Sequence, residues 1–372
     1  MTSWTRTPAT ALALLTTALL GWGVYQGVAA LRSDAAQARL APTLNAEAFL
    51  DGRTTAAVNH VLAHHLPADP WVRAAGGLFR WGIFNSGGPA VRVGCEGWLF
   101  LTEELRPFDG AEAAMAARVE ALRRIQAALA ARGIALVLAV VPDKARVQEG
   151  MLCGAPRSAQ AEARLPALEA ALSGLPQAPL LPALSALAAR EPAYWRTDTH
   201  WNQQGAVVAA AAIAEATRAL PFERRPGIAT TRAPTETEAP ADLLRLMGLD
   251  LLPDPWRPRR DRQHEATTTV PAGEGGGLLD EAVPEVVLLG SSYSLNANFH
   301  GALQQALGAA VTSLAQAGGG FHGAAAAFFG GATFRETPPR LVIWEFPERV
   351  MGQPISPAER EFLDGWRESG MR

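Results

Sequence analysis

The shortages in this 372-residue sequence narrow it first. There are two cysteines, Cys95 and Cys153, with no Cys-x-x-Cys pair, and the seven histidines are scattered, so no metal ion and no cofactor is expected. The formal net charge is only −3. Neither sign is in enough excess to draw nucleic acid or an anionic membrane surface, so nucleic-acid binding is excluded as a leading function. Charge is missing altogether from Thr7 to Leu31, and the centre of that run, Ala-Leu-Ala-Leu-Leu-Thr-Thr-Ala-Leu-Leu, is apolar on every side of a helix. A helix of roughly 20 such residues spans a bilayer, and Arg6 before it favours a cytoplasmic amino end. The competing reading is a cleaved signal peptide, with small residues at Val28-Ala29-Ala30 and Ala36-Gln37-Ala38 suited to a peptidase. The apolar stretch exceeds an ordinary signal-peptide core, which favours a retained anchor. The chain is expected in the inner membrane as a single-pass protein with its main part in the periplasm. In that oxidising compartment Cys95 and Cys153 are expected to be bridged, with two unpaired buried thiols as the alternative.

With 48% hydrophobic and 19% charged residues the chain can bury a full core. Beyond an anchor over residues 1–32, a connecting region runs over 33–88, with breaks at Asp69-Pro70 and Asn85-Ser86-Gly87-Gly88-Pro89. A main domain is expected over 89–352 and a tail over 353–372. Gly97-Trp98-Leu99-Phe100 reads as a buried strand. A helical period from Ala111 to Arg132, ended by Gly133, leads into the continuous apolar run Ile134 to Val141 that a doubly covered parallel strand needs. A helix over Ala159 to Ser173 precedes a short strand near Leu180, and an alanine-rich helix over Asn202 to Leu220 follows. Residues 221–285 gather Pro, Thr, Arg and Gly and read as an irregular insertion, either a solvated loop or a binding lip. Strands at Val286–Leu289, near 310–314 and at 341–346 then alternate with helices at 299–307 and 321–329. Such alternation predicts an α/β fold with a parallel sheet, whose site lies at the carboxyl ends of the strands.

Two stretches carry the chemistry. Tyr194-Trp195-Arg196-Thr197-Asp198-Thr199-His200-Trp201 sets a carboxylate two residues before an imidazole, and Val286-Val287-Leu288-Leu289-Gly290-Ser291-Ser292-Tyr293-Ser294 ends an apolar strand on a serine-rich turn. A carboxylate that fixes the imidazole tautomer lets the histidine take a proton from a serine hydroxyl. Each stretch alone has a plainer reading, with Asp198 as a helix cap and the serines as caps of the next helix. Together the stretches resemble the GDSL/SGNH-type esterases. The order here, Asp-x-His-Trp first and Gly-x-Ser-x-Ser later, is similar to a circularly permuted branch, the alginate O-acetylation proteins AlgJ and AlgX and their relatives. The likeness runs from about Val91 to Arg349 and includes Gly97-Trp98-Leu99-Phe100 and Leu341-Val342-Ile343-Trp344-Glu345.

That resemblance implies an SGNH-like, flavodoxin-like three-layer sandwich, circularly permuted. It also implies a catalytic set of Asp198, His200 and Ser292, since the serine two after Gly290 aligns with the family nucleophile in preference to Ser291 or Ser294. Ser291 stands where the esterases carry aspartate. Oxyanion donors are sought in the Ser292 N–H, the 318–320 glycine turn including Gly319, and Asn296 or Asn298. Tyr293, Trp195 and Trp201 are either a sugar-stacking wall or core. Arg196 either binds an acidic sugar or pairs with a nearby carboxylate, and Lys144 is equally open. The implied activity is an exported O-acetyltransferase acting on an exopolysaccharide, with a polytopic membrane O-acyltransferase as acetyl supplier. A polysaccharide acetylesterase and an inactive envelope scaffold are the alternatives.

Overall fold

The computed structural model describes residues 6–271 and 285–368. Residues 1–5, the 272–284 part of the expected insertion and positions 369–372 of the tail lie outside the described residues. The chain divides into two units, Met1–Ile83 with Gly248–Pro253, and Phe84–Met247 with Asp254–Arg372.

In the first unit a helix runs over Arg6–Leu31, and its Ala9–Leu31 portion is the one helix among the described residues long and apolar enough to cross a membrane. Its last turns pack within the unit. Ala30 is buried in a small core with Ala36, Leu40, Ala57 and Val61 from the helices Asp34–Leu40 and Arg53–His64. Gln26 Oε1 accepts the N–H of Ala68 at 3.1 Å.

In the second unit the sequence enters on β1 (Val91–Val93) and β2 (Leu99–Leu101), an antiparallel pair. The central sheet begins with β3 (Ala135–Val141) and resumes much later with β6 (Val286–Leu289), β7 (Val311–Ser313) and β8 (Leu341–Pro347). Between them come β4 (Ala229–Glu238) and β5 (Arg262–Thr269), which form a separate antiparallel ribbon. The sheet order is β3-β8-β6-β7, and every pairing in it is parallel. The apolar runs alternate between two cores as a pleated strand requires. Val137, Ala139 and Val141 face one core with Val286, Leu288, Leu341 and Ile343. Leu136, Leu138 and Val140 face the other with Val287, Leu289, Val342, Trp344 and Phe346. Helices Leu180–Ala188, Gln203–Ala216 and Phe299–Leu307 cover the first face, and Ala111–Ala131, Ala159–Ala171, Gly323–Gly330 and Pro357–Glu368 lie on the second. This is the three-layer α/β sandwich.

Three expectations are corrected. The strand near Leu180 is a helix, Leu180–Ala188, because Leu180, Leu184 and Leu187 recur at helical spacing and are all buried. Only Gln177, just before it, makes a bridge, to Leu138. The insertion is not irregular throughout, since 229–238 and 262–269 are strands of one ribbon. Its ribbon is solvated on much of both faces, so a polar, threonine-rich sequence with no hydrophobic alternation still forms strands. The tail belongs to the domain, since helix Pro357–Glu368 buries Leu363 and Trp366, and Glu359 meets the buried Arg118 at 2.6 Å. Breaking such a buried pair costs about 3–5 kcal/mol.

Cys95 and Cys153 are joined, with Cα atoms 5.6 Å apart and 58 residues of separation. The bridge fixes the turn after β1 to the segment after β3. A closed loop of that length is worth about 4 kcal/mol in a chain-entropy account. Thiol labelling of the unreduced protein should find no reactive cysteine, and reduction should lower the thermal midpoint. Two labelled thiols before reduction would contradict the bridge.

Candidate active site

Three side chains from two stretches remote in sequence meet at the carboxyl end of the parallel sheet. Ser292 is the third residue after β6 and opens a short helical turn, Ser292–Leu295, whose cap is the Ser291 side chain accepting the Tyr293 N–H. His200 lies in the loop before helix Gln203–Ala216, which Asn202 caps by accepting the N–H groups of Gln204 and Gly205. His200 Nε2 is 2.8 Å from Ser292 Oγ, and His200 Nδ1 is 2.6 Å from Asp198 Oδ1. Asp198 Oδ1 also accepts the His200 N–H at 3.0 Å, while Oδ2 accepts the Asp242 N–H at 2.8 Å. Burial opposes ionisation of Asp198, but the His200 hydrogen bond and charge, with the N–H groups of Asp242 and His200, outweigh it and hold its carboxyl down at about 2. Asp198 is therefore a fixed anion aimed at Nδ1. That leaves Nε2 as the proton acceptor toward Ser292.

The support around this array came from residues that sequence reasoning left open or passed over. Lys144, the only lysine in the chain, is fully buried and donates to the carbonyls of Leu99, Arg196 and Asp198 at 2.6, 2.9 and 2.9 Å. It clamps β2 to the loop that carries Asp198 and His200. Burial lowers its pKa to about 8, against the charges of Glu104 and Asp198, which favour the ammonium. Glu345, buried near the end of β8, accepts the Ser291 N–H at 2.8 Å, Ser291 Oγ at 2.8 Å and Ser294 Oγ at 2.7 Å, and so fixes the turn that presents Ser292. Burial raises its pKa. A lone acid inside Leu-Val-Ile-Trp-Glu-Phe was the available signal, since a buried strand carries a carboxylate only where donors await it. Gly290 serves close packing, because a Cβ there would run into the Ser294 side chain.

Asp242 was missed because it reads only as the first-turn acid of helix Asp242–Met247 inside the insertion. Its Oδ1 accepts the Thr199 N–H at 2.7 Å and its Oδ2 is 3.9 Å from His200 Nδ1. Burial, then the Asp198 charge, raises its pKa. Asp198, His200 and Asp242 are the one group of three metal-ligating side chains among the described residues, with ligand atoms within 4.8 Å of one another. The shortest contacts commit these atoms to one another and to backbone N–H groups. His60 and His64 stand four apart on their helix, with ring centroids 4.5 Å apart, and no such group of three forms there among the described residues.

Several expected substrate contacts are corrected. Trp201 and Tyr293 are wholly buried and Trp195 nearly so, which makes them core and not a sugar-stacking wall. The Tyr293 ring backs His200 edge-on at 4.8 Å, and its hydroxyl donates to the Thr199 carbonyl. Arg196 is paired with Asp261 through both its N–H and its Nε, each at 2.6 Å. Asn296 Nδ2 donates to the Ser292 carbonyl at 2.8 Å and Asn298 Nδ2 to Thr268 Oγ1 at 3.0 Å. Gly319 donates its N–H to Gln316 within its own turn. After the Ser292 turn, Ala297 and Asn298 both take left-handed backbone, φ 56° and 53°. For alanine that conformation costs about 1–2 kcal/mol.

Residues 91–348 match a family model described as SGNH hydrolase-like domain, acetyltransferase AlgX. The chain is 36% identical over 279 residues to a Pseudomonas putida protein named probable alginate O-acetylase AlgJ, covering 72% of each. It is 32% identical over 306 residues to the Pseudomonas aeruginosa protein of that name, covering 78% of each. The solved O-acetyltransferase domain of Pseudomonas putida AlgJ aligns with a TM-score of 0.66 at 30% identity, covering 76% of this chain and 99% of that one.

Proposed function

This chain belongs to the SGNH hydrolase-like acetyltransferase family of AlgX type and is an O-acetyltransferase, and from that premise we propose that it acetylates an alginate-like exopolysaccharide outside the cytoplasm through an acyl-enzyme on Ser292. The observation that carries this reading is the unbroken array of Asp198, His200 and Ser292, with spacings of 2.6 and 2.8 Å. Ser292 Oγ attacks the carbonyl carbon of an acetyl ester as His200 Nε2 takes its proton, and the imidazolium then gives that proton to the departing alkoxide. In the second half His200 takes the proton of a sugar hydroxyl, whose oxygen attacks the acetyl-Ser292 ester, and the imidazolium returns the proton to Ser292 Oγ as the C–O bond to serine breaks. The Ser292 N–H begins a helical turn and has no intrahelical acceptor, so it suits the oxyanion. Helix Arg6–Leu31 serves as a single-pass anchor, and a polytopic membrane acyltransferase supplies the acetyl group. Alkaline extraction should leave the full-length protein in the membrane fraction, and release into the soluble fraction would oppose the anchor.

The test incubates the protein with a radiolabelled acetyl ester, with and without an oligouronate acceptor. Label should appear on Ser292 and then on oligosaccharide hydroxyls. Release as acetate alone, at a rate indifferent to acceptor, would point to an esterase.

A further inference from the structure

A groove beside the array is lined in a way that the reaction as described leaves unused. It is a cavity of about 420 Å³ between helix Gln203–Ala216, helix Phe299–Leu307 and the β4–β5 ribbon, within the size range of small-ligand sites. Both helices start next to the chemistry, the first three residues after His200 and the second seven after Ser292. The strained pair Ala297 and Asn298 lines it, and strain of this kind collects at working sites because the surrounding structure must maintain it.

The ribbon is tied down against this groove. Thr268 Oγ1 accepts from Asn298 Nδ2 at 3.0 Å and lies 2.7 Å from Thr230 Oγ1, and Gln203 Nε2 donates to the His264 carbonyl at 2.7 Å. Arg232 pairs with Ala266 in the ribbon register, two residues along from the pair of Thr230 and Thr268, so it shares the face that looks onto the groove. Arg232 lines the cavity, and its guanidinium has no ion pair or hydrogen bond among the described residues, in contrast to Arg196, Arg225 and Arg262, which all have acidic partners. Gln305 brings a second uncommitted polar group to the wall, and no aspartate or glutamate lines the cavity among the described residues. Val207, Ala302 and Ala306 supply apolar surface.

A planar cation unpaired among the described residues, on a wall whose described lining has no acid and with an amide and apolar surface beside it, suits the carboxylate and flat face of an acidic sugar. We propose that this groove is the acceptor subsite, holding a uronate residue adjacent to the one acetylated, with Arg232 as the partner of its carboxylate. The assignment rests on the acyl-transfer reading for its purpose, but its test does not depend on turnover.

Binding of a defined oligouronate, and of the same oligosaccharide with its carboxyls reduced to alcohols, is measured by titration calorimetry on full-length Ser292→Ala protein. The uronate should bind more tightly, and added salt should narrow the gap. Adding Arg232→Gln should weaken the oligouronate about tenfold to a hundredfold, the range of a charge-assisted contact, and bring it level with the neutral ligand. Arg232→Lys should recover part of the preference. Val207→Trp, a substitution at a half-exposed position that fills the groove, should weaken both ligands. Equal affinity for the two ligands without the Arg232 change, an equal loss for both on Arg232→Gln, or unaltered binding with Val207→Trp would each overturn the subsite. Failure of acyl transfer would show instead in the label experiment.

Discussion

Ser292→Ala and His200→Ala should each cut acetyl transfer by about 10⁴- to 10⁶-fold, and the double variant should be little worse than either. The reason is geometric. Nε2 is 2.8 Å from the serine oxygen, so the two groups act as one nucleophile, and removing either leaves only binding and oxyanion contacts. A serine-directed phosphonate should label Ser292, should lose its target in Ser292→Ala, and should still react in Ser294→Ala. Labelling at Ser291 would move the nucleophile. Retention of full activity in His200→Ala would remove the whole scheme.

Asp198→Asn should lower the rate by about 10⁴-fold, short of the loss in Ser292→Ala, while the protein stays folded. An asparagine that keeps its oxygen on His200 Nδ1 must turn its amide toward the Asp242 N–H, donor against donor, and the opposite rotamer sets the amide against Nδ1–H. The first arrangement keeps the Nδ1–H tautomer only against that repulsion and the second moves the ring proton to Nε2, so the tautomer that leaves Nε2 basic is disfavoured. Stability should respond as well. The native pKa of Asp198 is held at about 2, below its ordinary 3.8, so its ionised form stabilises the fold. That contribution is complete above 3.8 and is lost as pH falls through about 2. Acid unfolding of Asp198→Asn should lack this component. The measurement is kcat against pH beside an acid melt, and a wild-type rate in the variant would sink the assignment.

The parallel sheet was legible because its strands are buried on both faces. Continuous apolar runs such as 134–141 and 286–289 leave little room for another reading. The helix at 180–188 was misread because bounding prolines masked a period carried by only three leucines. The ribbon at 229–269 carried no hydrophobic signal, since what holds it is cross-strand pairing and threonine contacts to Asn298.

The sequence by itself determined which side chains could form the array. An Asp-x-His spacing lets one carboxylate oxygen meet both Nδ1 and the backbone N–H of the same histidine, and a serine just past a buried strand has to emerge at the strand's carboxyl end. Tertiary structure alone decided what surrounds them. Trp201 and Tyr293 became core, Arg196 was taken up by Asp261, and Lys144, Glu345 and Asp242 converged from three other elements to hold the loop, the turn and the carboxylate. Local spacing constrains partners a few residues apart. Partners tens to hundreds of residues apart meet only because the sheet order β3-β8-β6-β7 brings their strand ends together, and that order is set by packing of the whole chain.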